Sequence, residues 1–227
     1  DAFNVAIGDR VGTSITTARF NNLIGGLAGD ALTTGNSNIA IGYNSLGADT
    51  KGENSVAIGD QALATQNLTT ATDTYNVAVG ASAGISVTTG VYNTLIGGLA
   101  GDALTSSNNN IAIGYQALSS DTQGTKTIAI GVDALLNQNN TTNTDTYNIA
   151  VGYHAGRDVT TGIRNTILGS LAADSLTTGG RNVSLGYAAH SADTLGSRSV
   201  AIGYEALGTQ NFTTATDNYN IGIGYSA

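Results

Sequence analysis

Three Asp-x-Tyr pairs recur at a fixed interval: Asp73 with Tyr75, Asp145 with Tyr147, and Asp217 with Tyr219. Each pair closes a stretch rich in Thr and Asn, where an exposed phenol ring could stack on a sugar or contact a receptor. A second tyrosine set follows a glycine at Tyr43, Tyr115 and Tyr187, and again at Tyr153, Tyr204 and Tyr225. The plainer reading of that set is a turn residue covering its neighbour. Acids also recur, as Asp30, Asp102 and Asp174 and as Asp49, Asp121 and Asp193. Equivalent carboxylates can hold Ca²⁺, but the spacing argued below puts them about 19 Å apart within one chain. Solvated turn aspartates fit better, unless a threefold axis gathers three of them. The two histidines, His154 and His190, occupy different repeat positions and read as surface substitutions. With no Cys, and no nucleophile, base and orienter in a recognisable arrangement, the expectation is a chain that is not an enzyme and needs no metal or cofactor.

Composition narrows the partners. Charged residues make up 11% of the 227, so water must be met by Asn, Thr, Ser and backbone groups. Sixteen acids against eight bases give a net charge of −8. The bases show no run or stripe, so a nucleic-acid partner is not expected. No apolar stretch approaches about 18 residues, which argues against a membrane-spanning segment.

The elements that position these residues come from one phrase, Asn, aliphatic, Ala, aliphatic, Gly, found thirteen times. Its glycines are spaced 17, 17, 17 and 21 residues apart, giving a 72-residue superrepeat present three times. A period this short excludes helix pairs. A β-branched run ending in Gly predicts a short strand and a turn, and the whole predicts a parallel β-solenoid. One residue before each Gly is aliphatic in all thirteen coils, and three before it in ten. Alternation puts both on one face, predicted to be the core, with the small residue between them pointing away. Asn four residues before the Gly, in ten coils, predicts a structural amide ladder. Thr eight residues after the Gly predicts a second ladder in the nine 17-residue coils. The extra residues of every fourth coil fall in Gln66 to Tyr75, Gln138 to Tyr147 and Gln210 to Tyr219, predicted as loops bulging from one edge. Twelve full coils would make a rod of about 58 Å.

Asn110 to Leu118 (Asn-Ile-Ala-Ile-Gly-Tyr-Gln-Ala-Leu), with its relatives at 38 to 46 and 55 to 59, resembles the head repeats of trimeric autotransporter adhesins and the repeat shafts of phage tail-fibre proteins. The resemblance covers essentially the whole chain. It implies that the 17- and 21-residue coils wind as a left-handed parallel β-roll, and it further implies a homotrimer and attachment to a host surface receptor, matrix protein or glycan. It also implies an extracellular, cell-surface or virion location. The longer coil and the regular 21-residue fourth coil depart from the adhesin pattern. The absence of polar caps at either end leads us to expect a single solenoid domain, 1–227, cut from a longer fibre. The alternative is an ice-binding solenoid that uses its Thr ladder.

Overall fold

The structure, a computed structural model, describes residues 2–227, leaving Asp1 outside the described residues. It is an all-β parallel solenoid, with no helix among the described residues. Two compact units, Asp1–Asn110 and Ile111–Ala227, share one plan. In the first, three-residue strands at Val5–Ile7, Asn22–Ile24, Ile39–Ile41, Val56–Ile58, Val77–Val79 and Thr94–Ile96 each pair in parallel with the next. In the second, the strands are Ile111–Ile113, Ile128–Ile130, Ile149–Val151, Thr166–Leu168, Val183–Leu185, Val200–Ile202 and Ile221–Ile223. Register is uniform, like position on like, as in Ala40 opposite Ala57.

The core lies on the opposite face of these strands from the one predicted. The small residue at the centre of each strand points inward. Ala40, Ala57, Ala78, Ala112, Ala129, Ala150 and Ala201 are all fully buried, whereas the flanking aliphatic residues are half-buried or exposed in every strand. The physical reason is width. The flattened coil brings opposite walls close together, and methyl groups fill the gap where two facing β-branched side chains would overpack it.

Where a larger inward residue occurs, the chain makes room elsewhere. Leu23, Leu95 and Ile167 replace Ala at the inward position and are fully buried. Leu95 occupies the space over Gly84 and Gly101: a Cβ at those glycines would lie 2.6 and 2.8 Å from its methyl groups. In the coils of Ala40, Ala57, Ala112 and Ala129 the equivalent position holds Leu46, Leu63, Leu118 and Leu135, all fully buried, whereas the coils of Ala78 and Ala150 keep Gly84 and Gly156 there and leave room for Leu95 and Ile167 of the next coil. A large side chain thus enters the interior from one wall or the other, and glycines clear its path.

Asparagine closes the coils. The Asn21 side chain donates to the Gly35 carbonyl at 3.0 Å, across its own coil, while its Oδ1 accepts the Asn38 backbone N–H at 2.8 Å. Asn38 repeats the pattern with Gly52 and Ser55. Both ends of each amide are satisfied and all of these side chains are buried, so the ladder is structural, as its spacing indicates.

Candidate functional site

The fourth-coil inserts are anchored more firmly than edge loops. Thr72–Asp73 pairs with Gly52–Glu53, Thr144–Asp145 with Gly124–Thr125, and Thr216–Asp217 with Gly196–Ser197. At the end of each insert the Asp-x-Tyr pair meets a residue of the preceding coil. Lys126 donates to Asp145 at 2.6 Å, the Tyr147 hydroxyl donates to the same carboxylate at 3.1 Å, and the ammonium lies 5.2 Å from the Tyr147 ring centre. Arg198 repeats this with Asp217 at 2.6 Å, the Tyr219 hydroxyl, and the Tyr219 ring at 5.4 Å. In the first superrepeat Asn54 takes the cation's place against Asp73 at 2.6 Å, and Tyr75 stacks on Tyr92 at 5.9 Å instead. The six predicted residues therefore form three exposed clusters, two of them ion-paired.

The hydrogen bond from Lys126, joined by that from Thr125, holds the Asp145 carboxyl down at about 2. Because its pKa is depressed, the contact persists above the ordinary carboxylate range and is released only as pH falls towards that value. Carboxyl ¹³C shifts should titrate near there in the wild type. In Lys126→Ala the midpoint should move upward. An unchanged midpoint would mean the ion pair is absent in solution.

The glycine-following tyrosines cover neighbouring coils. The Tyr43 ring lies 3.5 Å from where a Cβ of Gly26 would sit, and Tyr187, Tyr204 and Tyr225 stack at 5.2 and 5.1 Å. Their edges stay open: Tyr43, Tyr115 and Tyr187 are about half exposed.

Asp49, Asp121 and Asp193 are not solvated turn residues; all three are fully buried. Asp49 accepts from the backbone of Gly52 at 3.0 Å and of Leu68 at 3.2 Å, and from the Gln66 side chain at 2.6 Å. Gln66 also donates to the Ser55 hydroxyl at 2.9 Å and accepts from Asn76 at 2.8 Å. Ser55 stands where most coils have Asn, and the insert's glutamine supplies the missing amide. Gln138 does the same for Thr127 and Asp121.

His190 is also buried rather than superficial. It replaces the core leucines Leu46 and Leu118, lies 3.0 Å from Asp193, and has Ser184 Oγ 3.4 Å from its other nitrogen. Burial pushes the Asp193 carboxyl up, but hydrogen bonds from His190, Gln210 and the Phe212 and Gly196 amides outweigh it and hold the group well below the usual range. The order Ser, His, Asp matches a nucleophile, base and orienter, but with all three side chains fully buried no substrate reaches the serine. His154 bonds Asp133 at 3.1 Å and is mostly covered.

The bases do form a stripe, contrary to the linear reading. Lys126, Arg164, Arg181 and Arg198, four of the eight Lys and Arg, all lie five residues before a motif glycine. The signal was available as a column of the repeat but not as a run along the chain. In the first unit the same position holds Phe3, Phe20, Ser37, Asn54, Tyr75, Tyr92 and Asn109, with Phe3 stacked on Phe20 at 5.8 Å.

No family model, curated protein or solved structure matches this chain.

Proposed function

We propose that the chain is a non-catalytic segment of a surface fibre or adhesin, a homotrimeric β-roll that carries attachment to host cells or receptors outside the cell or on a virion. The observation that carries this reading is the outward aliphatic face. In each unit, two ranks of Val and Ile run up the outward side of the strands and stay partly exposed among the described residues. A contiguous apolar sheet face of this kind marks an interaction surface. Association of like copies around a threefold axis covers it in a closed arrangement, and the resemblance to adhesin heads favours the same copy number. Ice binding has less support. The ladder hydroxyls of Thr33 and Thr177 donate to carbonyls of the next coil, each at 2.8 Å, and are committed to the solenoid.

Charging the outer face separates this reading from its rivals. Ile41→Asp with Ile113→Asp should convert a trimer to a folded monomer by light scattering, with the circular dichroism retained. Ala40→Asp with Ala112→Asp should unfold the roll, because that charge enters the interior. A wild-type monomer at micromolar concentration would overturn the trimer. Attachment to cells or glycan arrays tests the biological role, and ice recrystallisation activity in its place would replace it.

A further inference from the structure

The second unit stacks cations in one column, and two of them, Arg164 and Arg181, meet no carboxylate among the described residues. Arg164, Arg181 and Arg198 occupy one position in three successive coils, with left-handed backbones at φ 63, 61 and 65. The Arg181 amide donates to the Ile163 carbonyl at 3.0 Å, and the Arg198 amide to that of Gly180 at 3.1 Å. The backbones are thus locked in register, about 4.8 Å apart. Arg164 and Arg181 are exposed, and neither has an ion-pair or side-chain hydrogen-bond partner among the described residues. Their chain neighbours, Ile163 and Asn165 and then Gly180 and Asn182, carry no carboxylate. Like charges on neighbouring coils repel, and a left-handed backbone at Arg adds about 1 kcal/mol. Lys126 and Tyr147 extend the column on one side and Tyr219 on the other, for a total of about 24 Å.

We infer that this column is a binding ladder for a linear acidic polysaccharide, whose carboxylates or sulfates dock on Arg164 and Arg181 while Tyr147 and Tyr219 meet the sugar chain at either end. Guanidinium forks pair with both oxyanions in bidentate geometry, and phenol rings accept sugar faces. A sparse anion suits the site better than a nucleic acid. Only four cations are present and the chain as a whole is at −8, which repels a densely phosphorylated strand. The inference rests on the attachment reading for its setting and adds the class of ligand.

The test uses the full chain with hyaluronate, neutral dextran and a single-stranded oligonucleotide as probes. Hyaluronate should bind with a salt dependence, and dextran should not. Arg164→Asn with Arg181→Asn, which suits the left-handed backbone, should weaken acidic-glycan binding at least about tenfold with an unchanged circular dichroism spectrum. The paired Lys replacements should recover part of it. Equal binding by the Asn variant, no binding by the wild type, or tighter binding to the oligonucleotide would each overturn the ladder. Cell attachment that persists in the Asn variant would overturn it too, while leaving the attachment reading standing.

Discussion

Gly114→Ala is expected to break the solenoid locally and to lower stability by about 3 kcal/mol or more. Gly114 sits at φ 135, a region that L side chains rarely adopt, and a Cβ there would lie 2.4 Å from the Gly131 carbonyl oxygen. The obstructing atom is backbone, and it belongs to a residue whose own amide donates to Ile113 at 2.7 Å. Relief therefore requires prising two coils apart. Gly26→Ala provides the contrast, because its nearest neighbour would be the Tyr43 ring at an ordinary 3.5 Å. Thermal melts should leave Gly26→Ala near wild type and shift Gly114→Ala sharply downward. Hydrogen exchange should speed up first at the Gly131 amide. A Gly114→Ala protein that melts with the wild type would mean the coils do not stack this closely.

Asp49→Ala should cost about 3–5 kcal/mol, the range for stripping one partner from a buried charged cluster. The carboxylate accepts from the backbone amides of Lys51, Gly52 and Leu68 and from the Gln66 side chain in a site closed to solvent, and alanine would strip the acceptor from all four bonds. Gly52 shows how fully the carboxylate fills its place, since a Cβ there would meet an Asp49 oxygen. Asp49→Asn keeps the shape but turns an NH₂ group towards a donor, so its loss should be intermediate. Urea denaturation of the three proteins would reveal the order. Equal stability of wild type and Asp49→Ala would show that the insert is not held by this group.

Period, strand, parallel pairing and the Asn ladder were all legible in the sequence, because each depends on residues recurring at one coil position. The inward face was not. Alternation identifies two faces without saying which is inside, and ordinary hydrophobicity would choose Ile41 over Ala40. Only the narrow gap between opposite walls reverses that choice. Asp49 and His190 were misplaced for a related reason: polarity suggested solvent, while their partners Gln66 and Gln210 come from inserts that the linear reading treated as external. The cation column was invisible along the chain because its members are 17 or more residues apart.

The coupling of Asp49 to Gln66, and of Asp121 to Gln138, also constrains how such a gene can change length. Gly42 and Gly114 stand 72 residues apart and each is followed by Tyr. Recombination between these points would therefore join like to like and preserve every interior pairing. Loss of a single coil could remove a glutamine and strand the aspartate it hydrogen-bonds, or remove the aspartate and bring Leu32 against the Gln66 amide. Viable length variants should accordingly differ by whole superrepeats, so that the buried polar pair sets the unit in which the solenoid is inherited.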